Sequence, residues 1–380
     1  MSAAGTVAAF ARARGPRLGL ILIVLAVIGA LAALDLFLEN AEQSEMSVQA
    51  RHTFAQGVQL LQSGDATGAV EALRRAHAME RKNLAYEMEL IAALTAAGKT
   101  AEAEPLMNEV LDADRNDGAA NLIAARLRLK EGNLLDAEAY YHRAIYGEWP
   151  QDGTSHRIAA RMQLIGLMVE KNQKQELLAE LLPLQEQAKN DPSLQSRLGR
   201  LFLIAGSPGR AAEQFRTLVR AHPASAEAYE GLGDAELEQG DYRAARAAFA
   251  AALSRKPKDS ALDAKLQLAA TLASLDPTPR GLASSEKYQR SLRILGWAQQ
   301  DLEKCIQMTG AAPADTQQTL LANAALAMNR PPSQPTNEMA EALLSLAERI
   351  WQARLAACGA ATTNDEEPLR LVMAKLAQAT

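Results

Sequence analysis

A spacing of 34 residues between turn positions constrains this chain more than any other feature of its sequence. Gly240, Gly206 and Asn172 fall in one series at that interval, and Gly132, Gly98 and Gly64 fall in another. Five residues after each glycine stands an alanine, namely Ala245, Ala211, Ala137, Ala103 and Ala69. Phe249, Phe215, Tyr141, Met107 and Leu73 share the next bulky position, and Ala252, Ala144, Val110 and Ala76 the one after it. On both sides of each turn the apolar residues recur every three or four places, which is helical periodicity. Each unit therefore reads as two short helices meeting at a glycine, with small residues where a bulky side chain would hold them apart. Six such hairpins run from about Arg51 to Asp259. Between Gly132 and Asn172 the interval is 40 rather than 34, so about six extra residues sit in the loop around "GEWPQDGTS". The fourth hairpin also has Leu177 and Leu184 where small residues are usual.

This period, with this order of small and bulky positions, resembles the tetratricopeptide repeat over roughly residues 50 to 276. The resemblance implies an all-α solenoid whose concave groove is lined mainly by the first helix of each hairpin. In this register the groove residues are Phe54 and Val58, then Met88, Leu122, Arg126, Met162, Arg197 and Arg200, and finally Glu230 and Asp234. The order runs from apolar through basic to acidic. Phe54 and Val58 stand where the carboxylate clamp of chaperone-binding members would need lysine and asparagine. An extended or helical partner segment with apolar anchors fits better, with basic residues reaching Glu230 and Asp234. The alternative is a groove filled by the protein's own C-terminal helices.

The N-terminus carries an address. Arg12, Arg14 and Arg17 precede an uncharged run from Leu18 to Leu34, extended to Leu38 if Asp35 is tolerated. At 1.5 Å per residue, about 20 residues cross a hydrocarbon core of about 30 Å. Beyond the run come Asp35, Glu39, Glu42 and Glu45, with no basic residue before Arg51. The positive-inside rule then keeps residues 1–17 in the cytoplasm and exports the repeats. The expectation is a single-pass signal anchor at 18–38 in a bacterial inner membrane, with periplasmic repeats. Cleavage after Ala30-Leu31-Ala32 would instead release a secreted protein. Residues 39–50 read as a polar spacer leading into the repeats at 51–276.

After the last hairpin, residues 260–275 form a further amphipathic helix of the kind that caps a solenoid. Residues 277–283, rich in Pro, Gly and Ser, read as a linker. Residues 284–380 lack the repeat pattern and are expected to form a small helical bundle, with helices at about 284–309, 315–329, 336–358 and 365–378. The chain's two cysteines, Cys305 and Cys358, lie near the C-terminal ends of the first and third of these. An up-down-up arrangement brings both thiols to one end, so a disulfide is expected in an exported protein.

Nothing in the sequence points to catalysis, a cofactor or a metal. No CxxC, phosphate-cradling glycine loop, nucleophile elbow or HExxH is present. The five histidines share no helix-facing spacing with carboxylates. A formal net charge of −5 gives no basic face for nucleic acid. The reading is a membrane-anchored interaction scaffold for an envelope complex, in an assembly or chaperone-like role. The alternatives are a self-assembling structural protein, hence a homo-oligomer, and a regulatory subunit of a membrane enzyme.

Overall fold

The computed structural model describes residues 15–310, 312–329, 332–359 and 367–379, the side chains of 15–24, 32 and 379 excepted. Among the described residues there are 17 helices and no strands. They divide into two compact units, Met1–Gly166 and Leu167–Thr380.

In the first unit, helix α1 (Gly15–Gln62) pairs with α2 (Ala66–Met79), α3 (Leu84–Ala96) with α4 (Thr100–Ala113), and α5 (Gly118–Lys130) with α6 (Leu134–Tyr146). The unit border falls inside α7 (Gly153–Glu170). The second unit continues with α8 (Lys174–Gln187), then α9 (Pro192–Ile204) and α10 (Pro208–Ala221), then α11 (Ala226–Glu238) and α12 (Tyr242–Arg255).

The turn chemistry explains why these hairpins close alike. Gly64, Gly98, Gly132, Gly206 and Gly240 all have φ between 70° and 90°, and Asn172 takes their place at φ 55°. Glycine enters this left-handed region without steric cost, and asparagine is among the few other residues that tolerate it. The residue after each turn donates its N–H five residues back, for example Asn133 to Arg128 O at 2.9 Å, Gln173 to Met168 O at 2.9 Å and Asp241 to Glu236 O at 2.9 Å. That pattern satisfies carbonyls a helix end would otherwise leave unpaired. The Asp65, Asn133 and Asp241 side chains then accept from the first turn of the following helix.

Packing follows the repeat register. Ala69, Ala103, Ala137, Ala211 and Ala245 are fully buried, and so is the Leu73, Phe215 and Phe249 series nine residues past the turn. In the fourth hairpin Leu177 is buried where every other hairpin has alanine, and Leu184 is buried at a position that is usually smaller. Glycines make room where rings enter: a Cβ on Gly199 would meet Phe215 at 2.6 Å, and one on Gly233 would meet Phe249 at 2.5 Å.

Helix α1 is a single helix of 48 residues, so residues 39–50 are helical and lead without a break into the first hairpin. Among the described residues no helix is long and apolar enough to cross a membrane. The expected span at 18–38 begins on side chains outside the described set, as do Arg12, Arg14 and most of the 1–17 tail.

Helix α13 (Ser260–Leu275) packs on α12, and α14 (Ser284–Thr309), α15 (Asp315–Asn329), α16 (Asn337–Cys358) and α17 (Glu367–Ala379) follow. Helices α14 and α16 run parallel, tied once near their N-terminal ends and twice near their C-terminal ends. Lys287 meets Glu341 at 3.0 Å, Asp301 meets Arg354 at 2.9 Å, and Cys305 and Cys358 stand at disulfide distance with Cα atoms 6.1 Å apart. In the chain-entropy account a crosslink closing a loop of this size contributes about 4 kcal/mol. Tyr288, Leu295, Leu302, Leu343 and Ile350 share one core with Tyr242, Leu272 and Leu275, so the terminal helices and the end of the repeats are continuous. Met339, in the first turn of α16, is 42% exposed. Residues 276–283 are not helical, and Arg290 holds them by donating to Ala273 O at 2.9 Å and Asp276 O at 2.8 Å. Helix α17 returns to the last hairpin, where Lys375 donates to Gly240 O at 2.8 Å and pairs with buried Asp276 at 2.6 Å. Burial, followed by the charge of Asp276, pushes the Tyr242 phenol up to about 12.

Candidate functional site

The first helix of each hairpin sets the residues available to a partner. In the first unit Phe54, Val58, Met88 and Met162 are half-buried, whereas Leu122 is only 9% exposed and belongs to the core. Phe54 stacks on Tyr86 at 4.5 Å between ring centroids, which commits one of its faces to hairpin packing. Arg126 is exposed and its Nε donates to Gln163 Oε1 at 2.9 Å.

Two polar neighbours of this stripe escaped the sequence reading. One is Gln163. The other is Glu89, whose carboxyl is pushed above the usual carboxylate range by burial while Arg126 pulls the other way. A pKa higher in the folded than in the unfolded chain means that ionisation opposes folding. The stabilising contribution is present at low pH and is lost as pH rises through the raised pKa. Glu89→Gln is therefore expected to raise the thermal midpoint at pH 7 and to leave it unchanged below about pH 4. Equal midpoints for the two proteins at both pH values would contradict this environment for Glu89.

In the second unit Arg197 and Arg200 are exposed and line a cavity of about 760 Å³ with Ser193, Ser196 and His222. Glu230 and Asp234 are already engaged. Lys265 of α13 contacts both, with Nζ 2.8 Å from Glu230 Oε1 and 2.8 Å from Asp234 Oδ1. Burial raises the Asp234 carboxyl, and the Lys265 hydrogen bond only partly offsets this. The acidic end of the stripe is thus answered within the chain, by a lysine of the capping helix that no repeat register would have brought to notice. Among the described residues no group of three or more His, Cys, Asp or Glu side chains could hold a metal ion.

Stacked two-helix units with a left-handed residue at each turn define a helical repeat solenoid. Models of the tetratricopeptide repeat match residues 60–127 and 196–260, about a third of the chain. Such repeats are generally protein-interaction scaffolds and typically non-enzymatic. No curated protein matches the chain. Similar solved structures include YrrB, described as a TPR protein with an unusual peptide-binding site, at 17% identity over 51% of this chain and 96% of that one, with a TM-score of 0.38. PilW, described as a widely conserved type IV pilus biogenesis factor, is 17% identical over 57% of this chain and 96% of that one, with a TM-score of 0.38. The C-terminal part of a TPR repeat-containing protein from Cytophaga hutchinsonii is 12% identical over 83% of this chain and 98% of that one, with a TM-score of 0.42.

Proposed function

We propose that this chain is a membrane-anchored interaction scaffold whose repeats dock a peptide segment or subunit of an envelope complex, in an assembly or chaperone-like role. The observation that carries the reading is helix α1. Its large apolar side chains from Leu25 to Leu38 are 50–69% exposed, and the same helix continues into the first hairpin. An exposed apolar surface of this extent calls for a covering, and a bilayer is the covering that suits the 21-residue run 18–38 to which these side chains belong. The arginines before the run and the acids after it favour a cytoplasmic tail and exported repeats. A Cys305–Cys358 bond suits the same side of the membrane, since disulfides persist in oxidising compartments. Because α1 is unbroken, the first hairpin stands at a fixed height above the membrane: residues 39–50 rise about 18 Å at 1.5 Å per residue.

The docking stripe in the first unit is Val58, Met88 and Met162, with Arg126 and Glu89 supplying charge beside the apolar anchors. The test is co-purification from solubilised native membranes after crosslinking. The full-length chain is expected to recover a defined set of envelope proteins, and the variant V58E/M88E/M162E to lose them while staying in the membrane fraction. Recovery of the same partners by the variant would remove the stripe from the account. A full-length chain found only in the soluble fraction would remove the anchor.

A further inference from the structure

The loop that breaks the 34-residue period forms one border of a pocket, to which it contributes Gly147. Gly147 and Glu148 run alongside residues 116–118, with Glu148 N donating to Asn116 O at 2.8 Å and Gly118 N donating to Glu148 O at 2.8 Å. The Trp149 indole N–H holds Ala144 O at 2.9 Å, and its ring stacks on His156 at 4.6 Å. Any side chain on Gly118 would collide with that indole, and one on Gly147 would come within 2.7 Å of both Arg143 O and Asn116 O. The wall is thus fixed by backbone pairing and close approach, not left to a mobile loop.

Beside this wall lies a cavity of about 770 Å³, lined by α4, α6 and their loops, with one residue from the start of α5. It therefore draws mainly on the second helices of the hairpins, unlike the stripe described above. At its floor sits Asn121, fully buried. Its Nδ2 donates to Arg115 O at 2.9 Å and to Asp117 O at 2.7 Å, which fixes the amide orientation, while its Oδ1 is buried with no hydrogen-bond partner. An unmet buried acceptor is costly, and it asks for an N–H or O–H. At the rim Tyr146 is 71% exposed and Arg143 lies over the Tyr140 ring at 4.9 Å, while Arg115 has a loose contact of 3.8 Å with Asp112, the one carboxylate in the lining, against two arginines.

We propose that this pocket is a second docking site, for an extended acidic peptide segment of a protein partner. The demands converge on that class. The orphan acceptor needs a donor, which a peptide N–H supplies. The two arginines favour carboxylates, which a glutamate or aspartate side chain supplies in directional pairs. Each tyrosine carries an arginine over one face, Arg143 on Tyr140 and Arg161 on Tyr146, and offers its other face to the planar peptide group or an apolar side chain. A small free anion brings the charge but no donor and no planar surface. A neutral sugar brings donors but leaves both arginines unanswered.

The test is a fluorescence-anisotropy titration of the full-length chain with a labelled pool Ac-Xaa-Glu-Xaa-Glu-Xaa, beside the same pool with lysine in place of glutamate. The glutamate pool is expected to saturate and the lysine pool not to. R115E/R143E should weaken binding at least tenfold, whereas R210E/R243E, the same charge change on exposed arginines outside the pocket, should leave it within about twofold. The stripe variant V58E/M88E/M162E should leave it unchanged, which separates this site from the one above. Four results would overturn the proposal. They are no saturation by about 1 mM, equal binding of both pools, equal losses in the two arginine variants, and full competition by N-acetylglutamate at the same concentration as peptide.

Discussion

Phe215→Ala is expected to lower stability by about 3–5 kcal/mol, the usual cost of emptying a large buried aromatic site. Phe215 is fully buried on α10, and its ring touches the space left by two glycines on the neighbouring first helices, Gly199 on α9 and Gly231 on α11. Each glycine brings a helix backbone to the ring face, so neither side can collapse far when the ring is removed. The complementary change is Gly231→Ala, whose Cβ would overlap the Phe215 ring and force it or the helix to move. Overpacking of this kind costs about 1–3 kcal/mol. Denaturant midpoints followed by circular dichroism measure both, and F215A should exceed G231A. A loss below about 1 kcal/mol for F215A would mean that the hairpins do not depend on this ring to stack.

The second large effect is expected between α14 and α16. Asp301 and Arg354 form a pair at 2.9 Å with side chains only 7% and 4% exposed, and Arg354 also donates to Gly359 O beside the disulfide. Removing one partner leaves a buried charge without its counterpart, so D301A or R354A is expected to cost about 3–5 kcal/mol. Replacing both with apolar residues of similar volume, D301L/R354M, should cost clearly less than either single change, because the desolvation penalty is then absent for both. Thermal midpoints under oxidising conditions measure the cycle, since the crosslink one turn away keeps the helices in register. A double variant as unstable as the single ones would show that the pair holds the bundle through specific geometry, not through mutual neutralisation.

Much of the fold was legible because a repeat states its register six times. The interval alone located the turns, and with them the buried alanines and the ring positions. It even located Asn172, whose tolerance of the left-handed region lets it stand in for glycine. The start of the terminal bundle was legible from the Pro-, Gly- and Ser-rich residues 277–283, since proline marks where a helix cannot continue. The candidate site was legible in part. Spacing assigned residues to the first helices, yet spacing does not say how deeply a side chain sits, and Leu122 is core where Met88 is half-buried. Lys265 was out of reach because it meets Glu230 and Asp234 across 31 to 35 residues of chain, from a helix outside the repeat pattern. The pocket at Asn121 had one visible sign, the extra residues around Trp149. What those residues build depends on backbone pairing with a loop some 30 positions earlier, which local pattern does not encode.

The most direct measurement of the central claim is site-specific photocrosslinking in native membranes. A photoreactive residue would be placed in turn at Met88 and Met162 on the first-helix stripe, and at Arg75 and Glu109 on exposed positions of second helices. The account predicts one discrete partner adduct from Met88 and Met162, and none at the same mass from Arg75 or Glu109. Adducts of that mass from Arg75 and Glu109, with none from the stripe, would contradict it.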